Sequence, residues 1–225
     1  MEPVEESTRE VARATSERGE LVLRRRADGA LELRANGVFV MDSVETSTER
    51  ALATRALTLH AGPATVLIGG LGLGFTLGAV LEDERIDQVT VAEIEPALVG
   101  WMYAGTVPGA ELLADPRVTV AVGDVAAVLR DSQPSAYDLV LLDVDNGPGY
   151  LVHDANAGLY RAPALEQAKR ATRPGGTVVL WSAAEAPELE ATMEAVFGRW
   201  RSEAVPYEVD LQGRAETYWL YAGHV

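Results

Sequence analysis

The sequence predicts an α/β fold with a doubly wound, mainly parallel seven-stranded sheet, a small N-terminal β-meander and a C-terminal antiparallel hairpin. Three observations support this fold class. Short apolar runs alternate with helical segments up to about Trp200, the pattern of a parallel sheet with helices on both faces. The run Thr65–Gly69 stops at closely spaced glycines, and Phe75–Leu81 continues with helical character. The last two segments, Glu203–Leu211 and Glu216–Ala222, are too close in sequence for a crossover helix, so we expect them to pair antiparallel.

The chain opens with segments of a different kind. Residues 1–19 are charged and lack apolar periodicity, so they are predicted to be a mobile tail or a loose helix. Residues 20–46 are predicted to form a small antiparallel meander, because Asp-Gly and Asn-Gly turn dipeptides separate three short apolar runs. The larger domain, 47–225, is predicted to begin with a helix that ends near His60.

Five strands are predicted inside the larger domain. In chain order they are 65–69, 88–93, 118–122, 137–142 and 177–181. Three of them end at or just before an acidic residue, namely Glu93, Asp124 and Asp143. Open α/β sheets bind ligands at the carboxyl ends of their strands, so these three acids are expected to share one site.

The glycine-rich turn after the first of these strands completes the predicted site. Its glycines let the backbone approach a ligand where a Cβ atom would collide, and the following helix directs its free N–H groups to the same place. They are Gly69, Gly70, Gly72 and Gly74. Glu93, at the end of the next strand, is placed to accept hydrogen bonds from ribose hydroxyls. The sequence therefore predicts a nucleoside-binding crevice.

Composition removes several kinds of chemistry. The 225 residues include no cysteine, which excludes disulfides, thiol nucleophiles and cysteine-based metal sites. Lys169 is the single lysine, so Schiff-base catalysis has almost no candidate. The three histidines are scattered without metal-ligand spacing, and no catalytic metal is expected.

Charge and hydropathy limit the classes of partner that the protein is expected to bind. The formal net charge is −15, and the densest basic run, Arg24–Arg26, is flanked by acids in a predicted hairpin. A nucleic-acid partner is therefore not expected, whereas a cationic small-molecule acceptor would be attracted. No apolar run approaches the roughly 20 residues of a membrane span, and the N-terminus lacks a signal-peptide pattern. These features predict a cytoplasmic enzyme without a membrane partner.

Several motifs resemble, in order and spacing, those of the spermidine synthase family of polyamine aminopropyltransferases. They are the glycine-rich turn, Ala92–Glu95, Asp115–Val118, Gly123-Asp124, Tyr137–Asp143, Leu159-Tyr160 and Arg173–Thr177. The resemblance covers roughly residues 20–225 and implies a methyltransferase-type, Rossmann-like core with a small N-terminal β-domain. It also implies a homodimer, with the meander as a candidate interface.

The resemblance implies a role for each matching position around a cofactor, S-adenosylmethionine or its decarboxylated form. Glu93 would hold the ribose hydroxyls, with Ile94 against the adenine. Asp124 would accept a hydrogen bond from the adenine amine, with Val125 beside the ring. The glycines that would admit the amino-acid or aminopropyl part of the cofactor are Gly70, Gly72 and Gly74.

Three residues in the loop after the fourth strand are candidates for catalysis on a small-molecule acceptor, with an amine as the leading class. The resemblance implies that Asp143 orients or deprotonates the acceptor amine, because an amine must lose a proton to attack a sulfonium-activated carbon. Asp145 is a candidate to share that work. His153 suits a general base because its ordinary pKa lies near neutrality. Contact with the cofactor alone or loop capping by Asp143, and a solvent-facing His153, remain alternatives.

Three departures from the family pattern bear on the reaction. Leu71 stands where the family carries the aspartate that meets the aminopropyl ammonium. The acceptor loop, residues 143–148, reads Asp-Val-Asp-Asn-Gly-Pro instead of Asp-Ser-Ser/Thr-Asp-Pro, and the family's acid-Tyr-His-Glu element is reduced to residues 45–49. A buried ammonium without its counter-charge costs on the order of several kcal/mol, so methyl transfer from S-adenosylmethionine is favoured.

Three alternatives stay open at this point. The first is an aminopropyltransferase with an altered acceptor site. The second is a non-catalytic homologue that binds a nucleoside or a partner protein. The third, a nicotinamide dehydrogenase, is disfavoured because Phe75 stands where the usual dinucleotide motif requires glycine.

Overall fold

Two sheets are present in a computed structural model of the chain, which describes residues 8–211 and 214–225. The smaller sheet has four antiparallel strands in sequential order. They are β1 (Arg9–Ser16), β2 (Gly19–Arg25), β3 (Leu31–Ala35) and β4 (Val38–Asp42). Asn36 and Gly37 both have positive φ, 52° and 79°, as a two-residue turn between right-twisted strands requires. The predicted meander is confirmed, and β1 is added to its edge.

Strand β1 corrects the prediction for the first nineteen residues. Residues 9–16 are neither a tail nor a helix, because they pair with β2 from Arg9↔Arg25 to Ser16↔Gly19. Val11 and Ala12 pack against the core, and the charged residues around them conceal this from a search for apolar periodicity. The expectation for residues 1–7 lies outside the described part of the chain.

The larger sheet has seven strands in the order β10-β11-β9-β8-β5-β6-β7. The remaining elements are α1 (Ser47–Leu59), β5 (Thr65–Gly69), α2 (Phe75–Leu81), β6 (Gln88–Glu93), α3 (Pro96–Tyr103), α4 (Ala110–Leu113), β7 (Val118–Val122), α5 (Val125–Asp131), β8 (Tyr137–Leu142), a 3-10 helix Asp154–Tyr160, α6 (Ala162–Ala171), β9 (Thr172–Ser182), α7 (Pro187–Phe197), a 3-10 turn Arg199–Arg201, β10 (Ser202–Leu211) and β11 (Arg214–His224). Strands β5 to β9 pair in parallel, and β10 and β11 close the sheet antiparallel. The predicted fold class is confirmed.

One strand is longer than predicted. Strand β9 begins at Thr172, five residues before the predicted start at 177, but residues 173–176 interrupt its pairing with β8, since Thr172 lies opposite Tyr137 and Thr177 opposite Leu139. Gly175 donates its N–H to the carbonyl of Val225, and Val225 donates to the carbonyl of Gly176. Gly175 has φ 85°, so this stretch bulges out of the strand, and the two hydrogen bonds join the bulge to Val225.

The core lies on both faces of the larger sheet. Alternate residues of the central strands β5 and β8 enter two separate apolar clusters, because successive side chains of a strand point to opposite faces. One cluster includes residues of α1, α2 and α3, and the other includes residues of α5, α6 and α7. Leu23 and Leu33 of the small sheet belong to the first cluster, so the small sheet shares a core with that face. Among the described residues, no helix combines the length and the apolar character of a membrane span.

Asp138, in β8, forms hydrogen bonds that link β8 to the start of β5 and to Arg173 in β9. Its Oδ2 accepts hydrogen bonds from the backbone N–H groups of Ala64 and Thr65, at 3.0 and 2.8 Å, and from Arg173 Nη1 at 2.8 Å. Burial opposes ionisation of this carboxyl, but Arg173 and the two amides outweigh it and lower the pKa of Asp138. Asp138 is thus a structural carboxylate.

We expect Asp138→Ala to lower the free energy of unfolding by about 3 kcal/mol, because two backbone donors lose their acceptor. Arg173→Ala should cost about 1 kcal/mol or less, since 41% of the Arg173 side chain is exposed. Urea unfolding near neutral pH measures both values. The contribution of Asp138 is complete above its unfolded-state pKa and is lost as the pH falls through its lowered folded-state pKa. Equal losses in the two variants would contradict the role given to the amides.

Candidate functional site

A cavity opens at the carboxyl ends of β5, β6, β7 and β8, beneath the small sheet. The structure brings together on its wall all but two of the site residues predicted from the sequence. Those on the wall are Gly70, Gly72, Glu93, Ile94, Asp124, Val125, Asp143, Asp145 and His153. Gly69 and Gly74 do not line it; a Cβ atom on Gly69 would lie 2.8 Å from Val125 Cγ2, and Gly74 precedes α2 with φ 90°. Both serve the close packing of the turn.

The glycine turn lies between the ends of β6 and β8 and is hydrogen-bonded to both. Gly70 donates its N–H to the carbonyl of Ala92 at 2.8 Å, and Asp143 donates its N–H to the carbonyl of Gly69 at 2.8 Å. Gly70 has φ 96°, and a Cβ atom there would lie 2.1 Å from the backbone oxygen of Asp143. Only glycine fits a position with this φ and this contact.

Glu93 ties this turn to the end of β6. Its Oε2 accepts the N–H of Leu71 and its Oε1 accepts the N–H of Glu95, each at 2.8 Å. Burial raises the pKa of Glu93, and the hydrogen bonds from Glu95 and Leu71 oppose that rise. Each carboxylate oxygen keeps a further lone pair, so ribose binding by Glu93 remains compatible with its structural role and stays a prediction.

The corner of the cavity beside Leu71 is built by other residues. Leu71 is 4% exposed, and its side chain belongs to the core. Gly72 lines the cavity instead, with φ 52°, and a Cβ atom there would lie 2.7 Å from the sulfur of Met41 in β4. The side chain that covers this glycine is therefore a thioether.

Asp124 is exposed at the beginning of α5. Its Oδ1 caps the helix by accepting the N–H of Ala126 at 2.8 Å. The second carboxylate oxygen stays available to a ligand, since Asp124 also lines the cavity. Capping and adenine binding are therefore compatible for this residue.

Asp143, a half-buried residue, and Glu49, a buried one, both place a carboxyl on the cavity wall. Asp143 Oδ2 accepts the hydroxyl of Thr76 at 2.7 Å, and burial raises the pKa of Asp143 to about 6. Glu49, from α1, accepts the hydroxyl of Thr48 at 2.7 Å; burial and then the Asp143 charge raise the pKa of Glu49 to about 7. Glu49 was not among the predicted site residues. Its signal in the sequence is its place in segment 45–49, one of the departures from the family pattern.

Asp145 organises the loop that follows β8. Its φ is 63°, and Oδ1 accepts the N–H groups of Asn146 and Val152 at 2.9 and 2.6 Å. Oδ2 accepts Asn156 Nδ2 at 2.8 Å and the N–H of His153 at 3.3 Å. The carboxylate is thus occupied within its own loop. Participation of Asp145 and His153 in catalysis stays a prediction.

Arg18 is a cavity residue that sequence reasoning missed. It lies in the turn between β1 and β2, inside the segment predicted to be a tail. Its Nη2 donates to Asn156 Oδ1 at 3.3 Å, and its Nε lies 3.5 Å from Glu95 Oε1. Only the pairing of β1 with β2 places it there, so the sequence carried no separate signal.

The wall of the cavity is strongly acidic. Its charged side chains are one guanidinium, that of Arg18, and the carboxyls of Glu49, Glu93, Glu95, Asp124, Asp143 and Asp145. Such a wall attracts sulfonium and ammonium groups and repels a pyrophosphate. Within the described ranges, no cluster of three or more His, Asp or Glu side chains has the geometry to hold a metal ion.

Comparison with known proteins agrees with this architecture. Residues 45–207 match the family model of the spermine/spermidine synthase domain. Putrescine N-methyltransferase 3 of Nicotiana tabacum is 31% identical over 153 residues, covering 67% of this chain and 36% of that protein. Spermidine synthase 2 of Arabidopsis thaliana is 30% identical over 151 residues, covering 63% of this chain and 42% of that protein. The chain thus spans less than half the length of either relative.

The fold agrees with solved structures as well. A crystal structure of spermidine synthase from Thermotoga maritima superposes with a TM-score of 0.76, covering 96% of this chain and 72% of that one. A spermidine synthase in complex with the transition-state analogue AdoDATO gives a TM-score of 0.78. Both are 17% identical to this chain, so these likenesses concern the fold.

We expect Gly70→Ala to weaken nucleoside binding by at least about tenfold, because its Cβ atom would push the end of β8 away from the turn. Gly62→Ala is the matched control, since a Cβ atom at Gly62 meets nothing within 4 Å. Calorimetric titration with S-adenosylmethionine and with methylthioadenosine measures the affinities. Unchanged affinity in a folded Gly70→Ala variant would separate this turn from the ligand site.

Proposed function

The chain belongs to the spermine/spermidine synthase family, and from that premise we propose that it transfers a methyl group from S-adenosylmethionine to a small amine. The observation that carries the proposal is one acidic cavity lined by Glu93, Asp124 and Asp143, in which the thioether of Met41 covers Gly72. The likeness to a putrescine N-methyltransferase supports methyl transfer in particular.

The cavity suits the charge of the proposed cofactor. S-adenosylmethionine, when bound, would supply a methyl carbon made electrophilic by its sulfonium. The acidic wall attracts such a cation, and Glu93 and Asp124 each keep a free acceptor position for nucleoside groups. A dinucleotide would instead bring a pyrophosphate against these carboxylates, which argues against a dehydrogenase.

Asp143 is the proposed proton acceptor. The amine nitrogen forms its bond to the methyl carbon while the bond from that carbon to sulfur breaks, and the proton lost by the amine passes to the Asp143 carboxylate. Burial raises the pKa of Asp143 to about 6. Because this value lies closer to neutrality, the Asp143 carboxylate is a stronger base than that of an exposed aspartate. Thr76 fixes the position of this carboxyl.

Aminopropyl transfer is the second candidate. The likeness to spermidine synthase 2 of Arabidopsis thaliana favours it. Decarboxylated S-adenosylmethionine keeps the ammonium of S-adenosylmethionine but lacks the carboxylate next to it, so a protein carboxylate beside Gly72 would stabilise that ammonium. The Met41 thioether at that corner favours the methyl donor.

Calorimetric titration with S-adenosylmethionine, its decarboxylated form, methylthioadenosine and NAD ranks these candidates. We expect S-adenosylmethionine to bind more tightly than the decarboxylated form, because Met41 leaves the aminopropyl ammonium without a counter-charge at Gly72. The reverse order would support aminopropyl transfer instead. Absence of binding by all four compounds would favour a non-catalytic homologue.

We expect Asp143→Asn to lower kcat about 100-fold or more, because the amide cannot accept the amine proton. The affinity for the cofactor should change by less than about threefold, since the amide oxygen of the new side chain would still accept the Thr76 hydroxyl. Asp131→Asn, at a side chain that is 71% exposed, is the matched control. Methyl transfer and calorimetry measure the two effects. A loss of cofactor affinity with unchanged kcat would assign Asp143 to the nucleoside site.

A further inference from the structure

One side chain on the wall of the nucleoside cavity, that of Arg18, carries a positive charge at any working pH. Six carboxyls share this wall with it. S-adenosylmethionine carries a sulfonium, an ammonium and a carboxylate. The acidic wall attracts the first two groups and repels the third. A carboxylate that enters this cavity is therefore most favourable beside the guanidinium of Arg18.

The turn between β1 and β2 fixes the place from which the Arg18 side chain begins. The backbone N–H of Arg18 donates to Ser16 Oγ, and its carbonyl accepts Asn36 Nδ2, each at 3.1 Å. Asn36 Oδ1 accepts the N–H of Glu20 at 2.9 Å, so one amide side chain is bonded on both sides of Gly19. Gly19 has φ 110°, a value that favours glycine. Arg18 thus extends from a well-anchored end of the small sheet.

The guanidinium of Arg18 has more donors than its partners use. Nη2 donates to Asn156 Oδ1 at 3.3 Å. Nε lies 3.5 Å from Glu95 Oε1 but is buried without a hydrogen bond, and Nη1 has no acceptor either within residues 8–211 and 214–225. The side chain is only 23% exposed, and half-buried donors of this kind call for a ligand or water partner. Arg18 can therefore bind a further anionic group.

Arg18 lies between the two sides of the cavity that the sulfur of the cofactor would face. Glu95, next to its Nε, donates its N–H to Oε1 of Glu93, the expected ribose residue. Asn156, the partner of Nη2, belongs to the segment after β8 that begins with Asp143, the proposed proton acceptor. In methyl transfer, the sulfur is joined to the ribose on one side, and its methyl group faces the amine on the other. A short chain that leaves the sulfur can therefore extend toward Arg18.

The corner of the cavity at Gly72 offers this chain no charged partner. The Met41 thioether covers Gly72 and carries no charge. The neighbouring side chain of Leu71 is apolar and belongs to the core. A charged methionyl group is therefore less favourable at that corner than beside a guanidinium.

We propose that Arg18 binds the carboxylate of S-adenosylmethionine and thereby selects this cofactor over its decarboxylated form. This role rests on the proposed function and names the residue that determines the choice of cofactor. Each Nη atom carries two N–H bonds, so Nη1 and Nη2 can donate to the two carboxylate oxygens while Nη2 keeps its bond to Asn156. The contact with Glu95 is kept as well, because Nε takes no part.

Three ligands distinguish this contact because they differ in the chain on the sulfur. S-adenosylmethionine brings a carboxylate to Arg18. The decarboxylated form brings an ammonium alone, which a guanidinium repels. Methylthioadenosine lacks the chain, so Arg18 should have little effect on its binding. A residue that binds the nucleoside itself would instead act on all three ligands alike.

Calorimetric titration of the three ligands into the unchanged protein and into Arg18→Gln tests the proposal. We expect Arg18→Gln to weaken binding of S-adenosylmethionine by at least about tenfold, because a charged hydrogen-bonded pair is lost. Binding of methylthioadenosine should change by less than about threefold. Binding of the decarboxylated form should stay equal or become tighter. Arg199→Gln, at a side chain that is 77% exposed, is the matched control.

Arg18→Lys and the Tm of the apo protein separate carboxylate binding from a structural role. Lysine keeps the positive charge but lacks the planar pair of donors, so it should recover only part of the affinity for S-adenosylmethionine. Both variants should lower Tm by less than about 2 °C, since the contacts of Arg18 with Asn156 and Glu95 are long. A large fall in Tm with equal weakening of all three ligands would mean that Arg18 only holds the turn in place, which overturns the proposal.

The outcomes also separate this role from the proposed function. Unchanged affinity for S-adenosylmethionine in Arg18→Gln would overturn the role of Arg18 and leave methyl transfer standing. Absence of S-adenosylmethionine binding to the unchanged protein would overturn both. If S-adenosylmethionine binds and its affinity depends on Arg18, but no methyl group reaches an amine, the proposed reaction fails and the carboxylate contact stands.

Discussion

The site depends on the close approach of β8 to the glycine turn after β5. With φ 96° and the backbone oxygen of Asp143 at the position where a side chain would begin, Gly70 allows neighbouring parallel strands to end together. That contact determines where Asp143 lies relative to the glycine turn. The N–H of Leu71 in the same turn donates a hydrogen bond that positions the carboxylate of Glu93. A backbone constraint at one glycine thus positions the acids on both neighbouring strands.

The two ends of β8 show how environment assigns roles to one residue type. Asp138, near its beginning, meets a guanidinium and two backbone amides, which lower its pKa and keep it an anion near neutral pH. Asp143, just after its end, is buried against a single hydroxyl, and burial raises its pKa. The first carboxylate stabilises the fold. The second, on the same cavity wall as Glu49, ionises less readily than an exposed aspartate.

The sequence predicted the central sheet well because its strands are apolar on both faces and end at glycine or acidic residues. The predicted limits of β5 and β8 match the observed strands. Strand β1 escaped prediction because it is a half-exposed edge strand with charged residues between its apolar ones. Glu49 escaped because its burial comes from tertiary contacts of α1, which no local pattern reports. The hydrogen bonds of Asp145 depend on a loop conformation with φ 63°, which the sequence likewise does not specify.

The small sheet is part of the site, and this bears on how ligands reach it. Its residues on the cavity wall are Arg18, Leu21, Leu33, Ala35, Val40 and Met41. Leu21 and Leu33 also belong to the apolar cluster that contains Leu52 of α1 and Leu71 of the glycine turn. Lifting the sheet as a lid would expose that cluster to water, at a cost of about 25 cal/mol for each Å² of apolar surface. A second cleft, between the small sheet, the beginning of α1 and the β10–β11 hairpin, shares the wall residues Met41 and Glu49 with this cavity. A route along that cleft leaves the shared core packed, whereas a lid motion of the small sheet would not.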